Sequence, residues 1–324
     1  MGRAISKNWL RLILIFITAF AITLVGGVII KTFIHHNTSS EIETSTENTQ
    51  NSPDADEGPD NTPIVPEFIN LQPTVDAWLA TAPGNVGLMI YDLDNSQVAA
   101  TYNADRVFNT ASIYKLFFVY DGYRQIELGL ENTDDYFTTA NDAFHSGPLT
   151  LGNCLDLMIR ESYNTCADPM RSDANRFARA EALAAELNLQ NTSSAGLYSS
   201  AADLTELMKL YWQHSDLSPE AWDAIQDSML NQPATTYNWR QGLPSGFDVA
   251  EVYDKVGWNY TGSYWSIYND ATFIVFPEQN RHYIMVVLTE NFPTYNPITN
   301  LGSMIEDAIL NHSETDTANR IDQE

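Results

Sequence analysis

The chain is 324 residues long, 44% hydrophobic and 11% aromatic, which excludes a wholly disordered protein and leaves material for a sizeable core. Its net charge is −26, and because residues 1–31 carry four basic residues and no acid, the remainder holds −30. Such a surface repels nucleic acid and anionic lipid, so a DNA- or RNA-binding role is excluded, and the 2 cysteines are too few for a disulfide framework or a Cys-rich zinc site.

From Leu12 to Ile30 the sequence runs LILIFITAFAITLVGGVII without a charge, the length needed to cross a bilayer as a helix. Arg3, Lys7 and Arg11 precede it, so residues 1–11 are expected in the cytoplasm, 12–30 in the membrane and the rest outside. Cleavage as a signal peptide is the alternative, since Gly26-Gly27 fall late in the run; its length favours the uncleaved anchor. Residues 31–66 read as a disordered acidic linker, with Glu41, Glu43, Glu47, Asp54, Asp56, Glu57 and Asp60 and, over 37–66, no base. The folded domain is expected over 67–312, followed by a short polar tail at 313–324.

Within that domain, Val86–Leu93 and Gln97–Tyr102 read as a β-hairpin turning at Asp94-Asn95. Helical spacing follows at Ile113–Leu128, Leu151–Arg160, Arg176–Leu189 and Ala201–Trp212. Strand character returns at Glu251–Trp258, Ala271–Phe276 and Tyr283–Thr289, and a last helix starts at Asn296-Pro297 and is expected to run to about Leu310. Strands at both ends of the chain with helices between them imply an α+β fold, one antiparallel sheet flanked by helices with a separate helical lobe. A cleft between the lobes is the natural place for a site.

Three short motifs fall at the edges of that cleft. In Ser112-Ile113-Tyr114-Lys115, a helix starting near Ser112 puts the lysine amine beside the serine hydroxyl. A serine needs an adjacent base to become a nucleophile, and a lysine serves if burial and nearby positive charge lower its pKa. Ser-x-x-Lys alone is weak, because a capping serine and a solvated lysine make the same pattern. Here Lys115 stands between Ile-Tyr and Leu-Phe-Phe-Val, an apolar setting in which an unpaired lysine is costly. The second motif, Ser162-Tyr163-Asn164, offers a hydroxyl and an amide at a helix end, and an ordinary turn would use the same residues. The third, Lys255-Val256-Gly257-Trp258, puts a cation on a strand where a substrate carboxylate could dock, with a glycine allowing close approach; an exposed edge-strand lysine is the bland alternative.

Taken in this order, the three motifs resemble the signature of the active-site-serine penicillin-recognising enzymes, in particular the class A β-lactamases and their non-lactamase relatives. LTLGNCLDLMIRESYNTCADPM is similar to that family's second-motif segment, YSSAADLTELMKLYW to its next helix and RQGLPSGFDVAEVYDKVGW to its approach to the third motif. The likeness spans residues 70–311. It implies a serine hydrolase with no metal and no cofactor, in which Ser112 is acylated, Lys115 activates it and Ser162 carries the proton to the leaving group. Asn164 would hold the substrate amide, Lys255 would attract the substrate carboxylate, and the N–H groups of Ser112 and Trp258, beside Gly257, would form the oxyanion hole. The implied partner is a β-lactam or a peptidoglycan stem peptide, with the membrane reached through the N-terminal helix.

The chain departs from the lactamase pattern twice. Val256 stands where a hydroxyl residue follows the lysine, and no Glu-x-x-Leu-Asn precedes the Ala201 helix: Glu186-Leu187-Asn188 has the wrong spacing, and residues 190–200 contain no acid. These features favour a D,D-carboxypeptidase or penicillin-binding role as the alternative to a lactamase. A non-catalytic envelope-binding or sensing module is a third reading, which the complete set of polar residues opposes. Cys154 and Cys166, twelve apart around Ser162, form either a disulfide or two buried thiols, and the exported location favours the disulfide. His145, His214, His282 and His312 are scattered, and Arg240 is expected in a structural ion pair. Trp258, Tyr260, Tyr264 and Trp265 are expected to pack or to line a subsite.

Overall fold

The computed structural model describes residues 65–233, 240–261 and 264–321. The run at 12–30 and the linker as far as residue 64 lie outside the described residues; among the described residues no helix is long and apolar enough to cross a membrane.

In chain order the elements are α1 (Gln72–Leu79), β1 (Asn85–Asp92), β2 (Gln97–Tyr102), β3 (Phe108–Asn109), α2 (Lys115–Glu127), β4 (Tyr136–Asn141) and β5 (Ser146–Thr150). They continue with α3 (Leu151–Arg160), α4 (Asn164–Ser172), α5 (Ala174–Glu186), β6 (Tyr198–Ser199), α6 (Ala201–Gln213), α7 (Pro219–Leu230), β7 (Glu251–Thr261), β8 (Tyr264–Phe276), β9 (Arg281–Glu290) and α8 (Asn296–Ile321). The fold is α+β. Five strands form one antiparallel sheet in the order β2-β1-β9-β8-β7, so the first and last parts of the domain share a sheet.

The central strand explains the layering. Within RHYIMVVLTE the run Tyr283–Leu288 is apolar at every position, as a strand covered on both faces should be. Ile284, Val286 and Leu288 point into one core with α2, α3 and α6, whereas Tyr283, Met285 and Val287 point into a second core with Trp78 of α1 and Ile298, Leu301 and Ile305 of α8. The helical lobe is organised around α2, whose segment Lys115–Tyr123 is wholly buried because other elements surround it; its two charged members, Lys115 and Asp121, are both held by polar partners. Gly122 lets α3 approach, since a Cβ there would stand 2.6 Å from Leu155 Cδ2. Side chains start the lobe's helices: Thr150 and Asn153 form a reciprocal capping box on α3, and Asp173, Ser200 and Ser218 cap α5, α6 and α7.

The strands expected at Glu251–Trp258 and Ala271–Phe276 are longer, Glu251–Thr261 and Tyr264–Phe276, and two helix ends also differ from expectation. The helix expected to reach Leu189 ends at Glu186, followed by Asn188 at φ 56°, a left-handed residue that terminates it. At the other end, α8 continues to Ile321 instead of stopping near Leu310, because no proline or glycine follows Gly302.

Candidate active site

Ser112 lies in a 3₁₀ turn, Ala111–Tyr114, that runs directly into α2. Residues i and i+3 eclipse in such a turn, which brings Lys115 Nζ to 3.2 Å from Ser112 Oγ. The turn is held from several sides. Thr110 donates its N–H to Leu197 O at 2.9 Å and its hydroxyl to Gly196 O at 2.7 Å. The Ala111 N–H donates to Asn109 Oδ1 at 2.8 Å, and from β8 the buried Asn269 donates its amide to Asn109 O at 2.9 Å. Ala111 itself has φ 48°, a left-handed backbone that costs a non-glycine residue on the order of 1 kcal/mol, and this ring of bonds keeps it there.

The second motif forms the junction of α3 and α4. Ser162 also has a positive φ, 52°, and presents both its carbonyl and its hydroxyl to Lys115. Asn164, the first residue of α4, accepts from Lys115 Nζ through Oδ1 at 2.7 Å. The junction is stiffened twice over. A disulfide joins the fully buried Cys154 and Cys166 with their Cα atoms 5.2 Å apart. The β4–β5 hairpin braces the other side, where Tyr163 donates to Asp142 and His145 Nε2 lies 2.8 Å from Glu161.

The third motif comes from β7, the edge strand of the sheet. Lys255 is fully buried, with Nζ 3.0 Å from Ser162 Oγ and 2.7 Å from Val256 O. Gly257 lies against the nucleophile turn: a Cβ would press on the Thr110 carbonyl and stand 3.0 Å from Ile113 Cγ1. Trp258, next in the strand, is half-buried. The side chains of Tyr260, Tyr264 and Trp265 lie outside the described residues.

Counting donors fixes the state in which Lys115 can act. Ser162 O and Asn164 Oδ1 only accept, so they take two N–H groups of the amine. A neutral amine then has one lone pair left, and the Ser112 hydroxyl at 3.2 Å can donate into it. An ammonium would have no lone pair to take the proton. Burial pushes the Lys115 pKa well below the usual lysine value, the positive charge of Lys255 pushes it further, and Asp168 opposes them. Burial also lowers Lys255, to about 7, against the pull of Asp254 and Asp270. Ser162 Oγ lies between the two amines, 3.2 Å from Lys115 and 3.0 Å from Lys255, within hydrogen-bond reach of both.

Sequence reasoning missed the support behind these groups. Asp254 and Asp270 are both buried on the sheet face opposite Lys255, because Lys255 pairs with Ala271 and Val256 with Asp270. Burial raises the pKa of Asp254 well above the carboxylate range, with the charge of Asp270 adding to it, and burial raises Asp270 to about 7. Arg240 stands 3.8 Å from Asp254 and donates to Leu230 O and Val252 O, the structural ion pair expected of it. Asp168, on α4, was also overlooked; only the start of a helix at Asn164 places it near Lys115. Glu186 pairs with Arg124 at 2.9 Å, and the 190–200 segment gives the nucleophile turn two backbone carbonyls.

Two serine hydroxyls and two buried lysines thus meet at one point, the arrangement expected of a serine hydrolase that works through an acyl-enzyme. Residues 70–313 match the model of the β-lactamase enzyme family, and the chain belongs to that family. Solved structures show the same fold. A β-lactamase from Chitinophaga pinensis DSM 2588 superposes with a TM-score of 0.64 at 20% identity, over 73% of this chain and 98% of its own. An ancestral class A β-lactamase gives 0.63 at 17%, over 74% and 99%. The acyl-enzyme complex of a PBP-A mutant with penicillin G gives 0.61 at 20%, over 74% and 95%. No curated protein sequence matches the chain.

Proposed function

We propose that the domain is acylated on Ser112 by a carboxylate-bearing amide, a β-lactam or a wall stem peptide, outside the cytoplasmic membrane. The observation that carries this reading is the convergence on Lys115 Nζ of Ser112 Oγ at 3.2 Å, Ser162 Oγ at 3.2 Å and Asn164 Oδ1 at 2.7 Å, which leaves a neutral amine a lone pair for a serine proton. Attack of Oγ on the amide carbon passes its proton to Lys115 and through Ser162 to the departing nitrogen. Lys255 supplies positive charge for the substrate carboxylate. The family and the penicillin-bound PBP-A fold support a β-lactam as a ligand. Intact-mass analysis after mixing with penicillin G tests this. An adduct on the wild type that Ser112→Ala lacks is expected, and labelling that persists in Ser112→Ala would overturn it.

Val256 favours a peptidase-like penicillin-binding protein as the second reading. It is buried and keeps the shape of the third motif without a hydroxyl for a lactam carboxylate, a bond worth about 1–3 kcal/mol. A D-alanyl peptide cleaved faster than a cephalosporin would decide for it. For location, the charge-free run at 12–30 and the Cys154–Cys166 bridge support an exported, membrane-anchored domain, since disulfides persist in oxidising compartments. Protease added to intact cells should degrade the domain while it sediments with membranes; recovery in the soluble cytoplasmic fraction would refute the anchor.

A further inference from the structure

Releasing an acyl group from Ser112 needs a base that takes a proton from water, and the lactamase glutamate motif has no counterpart before α6. The acids around the site can be sorted by what they already hold. Glu186 holds Arg124, Glu181 accepts the Ala195 N–H, and Asp203 accepts from Asn191 N and Thr192 Oγ1. Glu161 faces His145, and Asp142 is taken up by Tyr163 and Thr165. Asp168 differs from all of these. It is exposed and makes no hydrogen bond or ion pair among the described residues.

Its position is set by the helix that carries it. Asn164 and Asp168 are four apart on α4, so they lie one above the other on one face. Asn164 Oδ1 is 2.7 Å from Lys115 Nζ, which fixes the direction of that face. The field of the Asp168 carboxylate reaches both Lys115 and Tyr114, the two residues that follow Ser112 and Ile113 in the turn. Arg171, one turn further along the same helix, stacks its guanidinium on the Tyr114 ring with 5.4 Å to the centroid.

We infer that Asp168 is the catalytic base of deacylation, standing one helical turn from Asn164 on the face of α4 that meets Lys115. This inference rests on the acyl-enzyme reading above. Asp168 takes one proton from a water molecule while the water oxygen bonds to the acyl carbon. The tetrahedral adduct collapses by breaking the bond from carbon to Ser112 Oγ. Oγ regains the proton that Asp168 took from the water, and the product leaves as a free acid. The charged and titratable groups around the carboxylate are Lys115, Tyr114 and Arg171, with Lys255 behind Lys115.

The test follows the lifetime of the penicillin G adduct by intact mass in the wild type, Asp168→Asn and Asp168→Glu. Asp168→Asn should still take up one equivalent but lose it roughly 10²–10⁴ more slowly, the usual contribution of a positioned base. Asp168→Glu should recover part of the rate. Equal adduct lifetimes in wild type and Asp168→Asn would overturn this inference alone. No adduct and no turnover on any of the proteins would overturn the acyl-enzyme reading and this inference together.

Discussion

Replacing Gly257 by alanine should damage catalysis far more than stability, and the structure says by how much. A Cβ at this position would press on the Thr110 carbonyl and stand 3.0 Å from Ile113 Cγ1 and 3.2 Å from Ile113 N. Comfortable carbon–carbon contact lies near 3.5–4.0 Å, so β7 and the nucleophile turn must part by about 0.5–1 Å. Overpacking of this kind costs about 1–3 kcal/mol, which is roughly 2–12 °C in Tm for a domain of this size. The same displacement moves Ser112 relative to Lys255, because Thr110 and Ile113 flank the serine turn. A misplacement of about 1 Å costs on the order of 10²-fold in rate. Stopped-flow acylation by a chromogenic cephalosporin should therefore slow about a hundredfold while circular dichroism reports a folded protein. Acylation within a factor of two of wild type would refute the claim that this contact sets the geometry of the nucleophile.

Four further outcomes are expected. Lys115→Ala should slow acylation by roughly 10²–10⁴, measured by the same burst. For an anionic substrate, kcat/KM should fall above about pH 7 through a rising KM, because Lys255, lowered to about 7, loses its charge there; a flat alkaline limb would contradict this. Asp270 is raised to about 7, so the stability it contributes is present at low pH and lost as pH rises from about 4 through 7; urea titrations of Asp270→Asn should show that slope flattened. Replacing Cys154 and Cys166 together by serine opens a loop closed over a separation of 12 residues and should cost about 3 kcal/mol, seen as a Tm drop of roughly 6–12 °C.

How much could be read from the sequence depends on how local the signal is. Ser112 and Lys115 are three apart, so their meeting needs only one turn of helix, and an apolar run such as Ile284–Leu288 declares a buried strand by itself. Helix α4 was hidden because NTCADPMRS is polar and contains Pro169, which reads as a turn; its start is tied down by the Cys166 bridge. Asp168 was hidden with it, since a carboxylate on a loop has no defined neighbour. The β4–β5 hairpin escaped because YFTTAN and SGPLT lack a clean apolar alternation and face solvent at most positions. Asp254 and Asp270 look like ordinary polar strand positions, and only the register of β7 with β8 shows them buried side by side.

The sheet also dictates when the enzyme can exist. Asn85 of β1 pairs with Glu290 of β9, and Ser162 meets Lys255 across a separation of 93 residues. Pairings of such long range close slowly, and here they cannot close at all until the last strand has emerged. A chain still being synthesised thus holds its serine and lysine turn without the second lysine or the edge strand. The constellation is complete only when the carboxyl-terminal third, with Lys255 and the paired strands β7 to β9, is in place. Loss of β9 and α8 should leave a soluble helical fragment at best, never a weakened catalyst.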